Sequence, residues 1–228
     1  MKPTDVVFYR NSLPGIEPPR GDQEILDVID GIAKTLAIDA FKRHGEAAFD
    51  APILLAAIHE AGHAKRSLET PLRNVSSQRN ALLPNGKRKP VWLGFTSVKN
   101  KVPFKSNETT PAGADIICAS NKIAGLAAEM VFDPDCRDGS SLDEIAFCQV
   151  LCGVAGAKLS IDGEAIYETV HHWTIEKLQH YAAEHKAIAS ALIRNKELRS
   201  RHLQCFLRNV EVNPNELVTL VYKNMAPA

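Results

Sequence analysis

The sequence predicts a mostly α-helical protein: one helical domain over residues 22–228, with a small β element near residues 91–98 and an extended arm over residues 1–21. Three observations carry this. Apolar residues recur at three- and four-residue spacing through much of the chain, the spacing of one helix face. The stretch Val91-Trp92-Leu93-Gly94-Phe95-Thr96-Ser97-Val98 is rich in β-branched and aromatic residues, as a strand is. Pro3, Pro14, Pro18 and Pro19 break up a lead-in with little periodicity.

The elements follow in order. Asp22 begins a helix in which Ile25, Leu26, Ile29, Ile32, Leu36 and Phe41 recur, and His44-Gly45 ends it. Asp50 caps a second helix, with Pro52 in its first turn. Residues 70–90, with Pro84-Asn85-Gly86, read as loop with at most a weak hairpin. The strand over 91–98 follows, then a polar, mobile stretch over 99–110. Pro111 to Phe132 reads as one helix with small residues throughout, suited to close packing. Ser141 caps a helix from Leu142 to about Lys158, with Glu144 completing a capping box. Asp162-Gly163 turns the chain into a helix that can run from Glu164 to about Asn195. Glu197 to Val210 continues that helix or starts another, and Asn213-Pro214 opens a short final one.

Composition narrows the function classes. The 228 residues suffice for one large domain or two small ones. Hydrophobic residues are 45% and charged residues 24%, as in a soluble globular protein. Lys+Arg and Asp+Glu number 27 each, so no overall basic field argues for nucleic acid. The short run Gly86-Lys87-Arg88-Lys89 reads as a solvated loop. Five cysteines form no C-x-x-C pair, and an odd, scattered set fits a reducing cytosol. The first ten residues contain no apolar signal core. The longest apolar run, Ile145 to Ala157, is too short to span a bilayer. A cytoplasmic protein with no membrane and no nucleic-acid partner is expected.

The chemistry is carried by His59-Glu60-Ala61-Gly62-His63, an H-E-x-x-H motif in a helix-forming apolar run. On a helix His59 and His63 lie one turn apart on one face. Two neutral imidazoles so placed can hold one Zn²⁺ and leave open positions. Glu60 is placed to take a proton from a metal-bound water. Gly62 costs its helix about 1 kcal/mol relative to Ala, which makes sense where another backbone or a substrate comes close. Catalytic zinc usually takes a third protein ligand, and no H-x-x-G-x-x-H extension supplies it here. Glu129 and Asp143 are the acidic candidates beside apolar helices. His171, His172, His180, His185 and His202 lie in a charged helical region and read as surface histidines. Spacing alone does not choose between Glu129 and Asp143.

Four segments in order resemble the FtsH-type zinc peptidases, the proteolytic domains of AAA+ membrane proteases. His59-Glu60-Ala61-Gly62-His63-Ala64 resembles their metal signature. Leu93-Gly94-Phe95-Thr96 is similar to their Leu-Gly-Tyr-Thr strand. Gly125-Leu126-Ala127-Ala128-Glu129 resembles their Gly-Arg-Ala-Ala-Glu segment. Asp138-Gly139-Ser140-Ser141-Leu142-Asp143 resembles Thr-Gly-Ala-Ser-Asn-Asp, whose last Asp is a zinc ligand, so the resemblance implies Asp143 as the third ligand. It covers about residues 50–205. The chain departs from the family in having no G-x-x-x-x-G-K-[ST] and no transmembrane segment, and in carrying Leu126 and Leu142 at polar family positions.

The resemblance implies a stand-alone zinc metallopeptidase acting on unfolded or flexible polypeptides. His59, His63 and Asp143 would hold Zn²⁺, and Glu60 would serve as general base. Glu129 would orient a ligand histidine. The strand Trp92, Leu93, Gly94, Phe95 and Thr96 would pair with an extended peptide. A homo-oligomer or a separate ATPase partner would fit the family. The alternative is a catalytically silent zinc-binding or regulatory module that keeps the fold, and a third reading is a helical structural protein that binds no metal.

Overall fold

Small residues decide how these helices meet. In α1 (Gln23–His44) the buried positions are Ile29, Ala33, Ala37 and Ala40, a narrow alanine-rich stripe that lets a neighbour approach closely. Gly45, at φ 62, ends α1 in the left-handed conformation that glycine adopts without strain. A 3₁₀ turn over Gly45–Phe49 then leads into α2 (Ile53–Ala64), the helix that carries the motif. The computed structural model describes residues 23–64, 72–96, 110–133 and 142–224. The expected arm over 1–21, the polar stretch over 99–109 and the Ser141 cap lie outside them.

Residues 70–90 do not read as a strand, yet β1 (Leu72–Leu82) pairs antiparallel with β2 (Arg88–Thr96). The register runs from Leu72 opposite Thr96 to Leu82 opposite Arg88, with an irregularity between Val75 and Gln78. Polar residues such as Asn74, Ser76, Gln78 and Asn80 hide this strand from a hydrophobicity pattern, because its stabilisation is backbone pairing to β2. Gly86, at φ 81, makes the turn. The basic run at its tip is anchored: Lys87 Nζ lies 2.9 Å from Glu46 Oε1, and Lys89 Nζ 2.6 Å from Asp50 Oδ1. The strand expected over 91–98 therefore starts earlier, at Arg88. A two-residue β3 (Glu197–Leu198) completes a sheet of order β2-β1-β3.

The helix expected over 111–132 is two helices, α3 (Pro111–Lys122) and α4 (Ala124–Phe132), with Ile123 between them. Thr110 caps α3, its side chain accepting from the Gly113 amide. The amides of Ile123 and Ala127 still reach back four residues, so the break is a slight bend. In a straight helix the Asn121 carbonyl would accept from the Gly125 amide. Here it faces α2 instead.

The helix expected from Glu164 to Asn195 is also two, α6 (Gly163–His180) and α7 (Ala182–Asn195). Tyr181 marks the break, and its phenol holds the backbone of Glu211, donating to the carbonyl at 2.7 Å and accepting from the amide at 3.1 Å. His185 is fully buried rather than on the surface, its Nδ1 donating to the Tyr181 carbonyl at 2.8 Å. It shares a face with buried Ile188, Ala189 and Leu192 at helical spacing, and that periodicity outweighs the charged surroundings. After β3 come α8 (Ser200–Phe206) and α9 (Pro214–Asn224).

The largest apolar cluster gathers α1, α3, α4, α6 and α9 around α5 (Leu142–Leu159), with Ile116, Ile123, Cys148, Cys152, Ile166, Trp173 and Leu217 among its buried members. A second cluster joins Ala57, Ala61 and Ala64 of α2 to Ile188 and Leu192 of α7 and Leu203 of α8. Leu126 and Leu142, apolar where the FtsH-type domains are polar, are buried in the first cluster. Cys118, Cys148, Cys152 and Cys205 are free thiols. Among the described residues no helix is long and apolar enough to cross a membrane.

Gly62 faces α4. A Cβ there would run into the Ala124 carbonyl oxygen and lie 2.7 Å from Ala128 Cβ. Helix propensity alone would make Gly→Ala stabilising by about 1 kcal/mol. Overpacking of this kind costs about 1–3 kcal/mol and reverses the sign. Gly62→Ala is expected to lower the urea midpoint of the protein. Gly31→Ala, on the exposed side of α1 with nothing within 4 Å, is expected to raise it.

Candidate metal centre

The alanine side of α2 packs on α7, and this turns His59 and His63 toward α3, α4 and α5. His59 Nδ1 lies 2.7 Å from Glu129 Oε1 on α4. His63 Nδ1 lies 3.1 Å from the Asn121 carbonyl at the α3–α4 break. A carbonyl accepts and does not donate, and so does an ionised carboxylate. Both Nδ1 atoms therefore carry the hydrogen and donate it. In the neutral rings both Nε2 atoms then carry lone pairs, the tautomer that ligates a metal, and at His59 an entering metal ion takes the place of the proton that the neighbouring carboxylates favour.

Those two Nε2 atoms stand 3.1 Å apart. Glu144 on α5 closes the triangle, with Oε1 3.0 Å from His63 Nε2 and Oε2 3.2 Å from His59 Nε2. Glu144 Oε2 is buried with no hydrogen-bond partner among the described residues. The donors of a tetrahedral zinc, at bonds of about 2.0–2.1 Å, lie about 3.3 Å from one another. The two nitrogens stand close to that spacing, and each has one Glu144 oxygen at a similar distance. Two nitrogens and one carboxylate are also the donor set of catalytic zinc, which keeps a further position open.

The electrostatics favour positive charge at this point. Burial opposes an imidazolium at His59, but the Glu144 and Glu129 carboxylates outweigh it and raise the His59 pKa well above the ordinary value. Burial likewise opposes charge on Glu144, but His63 and His59 outweigh it and hold the Glu144 carboxyl far below the usual carboxylate range. Two aligned lone pairs and a carboxylate repel one another unless a cation stands between them. A proton satisfies one contact; a metal ion satisfies all three.

The third member of the group is Glu144, where the resemblance implies Asp143. Among the described residues, the His, Cys, Asp and Glu side chains grouped closely enough to share a metal are His59, His63 and Glu144, with ligand atoms within 4.8 Å of one another. The helix explains the one-residue difference. Glu144 stands one and two turns before buried Cys148 and Cys152, at the edge of the stripe that α5 presents to the core. Asp143 is rotated about 100° from it and outside the triangle; although the residue has an exposed side, its carboxyl is close enough to the site that burial and the Glu144 charge push it up to about 6 against the pull of His59. Glu129 is not a member of the triangle; it stands behind His59 with only 1% of its side chain exposed. His171, His172, His180, His185 and His202 are not members either.

Two glycines let neighbouring elements close over the site. A Cβ at Gly125 would run into the His59 imidazole, so α4 passes directly against that ring. A Cβ at Gly94 would run into the Glu60 side chain, so β2 lies directly over Glu60. Glu60 is 5% exposed. Among the described residues β2 is an edge strand, and its Trp92 amide donates to the Ala51 carbonyl at 2.9 Å, away from β1. Strand groups alternate in direction, so the amides and carbonyls of Gly94 and Thr96 also face outward.

No family model matches the chain, and a search of curated proteins finds no match. The case for the site thus rests on its geometry and on the motif. Sequence reading missed Glu144 because it already had a sufficient explanation as a capping-box residue; its place one turn before Cys148 was the available signal. The Asn121 carbonyl left no signal, since any residue supplies one.

Metal content by mass spectrometry separates the two carboxylates. Glu144→Gln and His63→Ala are expected to lose the metal carried by the wild type, whereas Asp143→Asn keeps it. Glu129→Gln leaves the three ligands in place but weakens the acceptor behind His59. Its metal affinity, read by competition with a chromogenic chelator, is expected to fall about 10–100-fold.

Proposed function

We propose that this protein is a zinc-dependent metallopeptidase of the FtsH type, acting on unfolded or flexible polypeptide segments. The observation that carries the reading is the convergence of two histidine Nε2 atoms and the Glu144 carboxylate, with each Nδ1 held from behind by an acceptor. A bound zinc would supply a Lewis acid that brings the pKa of a water toward neutrality. His59, His63 and Glu144 would hold the ion, and Glu129 and Asn121 would keep the imidazoles in the ligating tautomer.

Glu60, beside His59 in sequence and buried under β2, is the residue to accept a proton and return it to the leaving amine. The outward groups of Gly94 and Thr96 can take an extended peptide as a further strand. Because Gly94 touches Glu60, a residue paired there has its peptide bond beside the base. Pairing needs a strand-like substrate, which excludes a folded domain unless a separate ATPase opens it. The burial of Glu60 beneath Gly94 also favours a second reading, a zinc-binding module that keeps the geometry without turnover.

The deciding assay is hydrolysis of fluorescein-labelled casein by zinc-loaded protein. Wild type is expected to cleave it. Glu60→Gln is expected to retain zinc and lose activity by at least about 10²-fold, the usual scale for a general base. Zinc retention with no cleavage by wild type would establish the module instead. Chelation by 1,10-phenanthroline is expected to abolish cleavage, and added zinc to restore it.

A further inference from the structure

Charge is segregated along this chain. Lys+Arg and Asp+Glu balance at 27 each overall, yet from Lys186 to Arg208 six cations face a single carboxylate, Glu197. The six are Lys186, Arg194, Lys196, Arg199, Arg201 and Arg208, and all are exposed. Four of them fall between residues 194 and 201, where α7 ends, β3 passes and α8 begins. Arg199 approaches Glu197 at 3.6 Å. Arg194, Arg201 and Arg208 make no ion pair among the described residues.

Local stability does not account for these charges. Arg194 and Lys196 gain from the C-terminal end of α7, but Arg199 and Arg201 stand at the start of α8, where a cation is disfavoured. Lys196 is in the left-handed conformation at φ 62, where glycine or asparagine is cheaper. Its amide still closes α7 onto the Leu192 carbonyl at 2.8 Å, and its ammonium lies 5.6 Å from the centre of the Trp92 ring. Arg199 occupies the N-cap of α8, where Ser, Thr, Asp or Asn would stabilise, and makes no capping bond. Like charges this close repel one another in the free protein. An anionic partner would relieve that repulsion.

We propose that the α7–β3–α8 face is a docking surface for an acidic polypeptide segment. Four cations within one tight turn match a short run of Asp and Glu, and arginine pairs with carboxylates in a bidentate fork. Single-stranded nucleic acid is the less suitable occupant, because such sites add aromatic platforms for the bases. The one Phe, Tyr or Trp from 186 to 208 is Phe206, which packs against the second apolar cluster, and the Trp92 ring beside the patch is half-buried with the Lys196 ammonium over it, so no row of open aromatic faces is offered among the described residues. This inference rests on charge placement, independently of the metal centre.

The test is fluorescence anisotropy with a labelled acidic peptide, (Glu-Ser)₆, added to the full chain. Binding is expected, weakening as salt rises from about 0.05 to 0.2 M. The triple variant Arg194→Gln, Arg201→Gln, Arg208→Gln, checked for a native melting temperature, is expected to bind at least about tenfold more weakly. The control Lys34→Gln, Lys42→Gln on α1 is expected to change affinity less than about twofold. His63→Ala should bind as wild type, which keeps this result separate from the metal site. No binding of the peptide, or equal weakening by the control, overturns the proposal. Tighter binding of a labelled oligo-dT that the triple variant abolishes also overturns it, in favour of nucleic acid.

Discussion

The close crossing of α2 and α4 is the constraint on which the site depends. Gly62 lets the Ala124 backbone come against α2, and Gly125 lets α4 pass over the His59 ring. At any larger separation Glu129 could not reach His59 Nδ1, and the Asn121 carbonyl could not reach His63. The tautomers that aim both Nε2 atoms at one point follow from those two bonds. So a packing requirement, met by residues with little or no side chain, becomes an electronic one.

Glu129 illustrates the energetics. A carboxylate buried to 1% exposure is expensive unless a donor meets it, and the His59 Nδ1–H at 2.7 Å does so. In return the carboxylate raises the basicity of His59, adding to what Glu144 does from the other side. The group is mutually dependent: two imidazoles, two carboxylates and one carbonyl. Removing any member leaves another buried polar atom without its partner.

A third glycine places the sheet. β2 lies over Glu60 because Gly94 has no Cβ, and β1 holds β2 from its other edge. The outer edge of β2 is thereby left beside the candidate base. β3 ties the far side of the sheet to the turn between α7 and α8, where the cations gather. The candidate metal centre and the cationic face thus both adjoin one small sheet but differ in kind, the first made of buried groups that converge on a point where a cation fits and the second of exposed charges.

How much of this was legible in the sequence differs by element. Periodicity gave the helical class, because a buried stripe must repeat at the helical spacing, and cap, glycine and proline signals gave the limits of α1 and the start of α9. The H-E-x-x-H spacing placed His59 and His63 on one face, since helix geometry needs no tertiary context. Three things were decided by the tertiary structure. A polar β1 formed because a neighbouring strand offered it backbone partners. Tyr181 and Ile123 interrupted helices that periodicity leaves continuous, because remote contacts at Glu211 and His63 draw on those turns. Glu144 rather than Asp143 joined the histidines, because one residue along a helix is a 100° rotation, and only the packing of α5 says which side faces α2. Sequence spacing acts within an element, whereas a site assembled from α2, α3, α4 and α5 is set by how those elements pack.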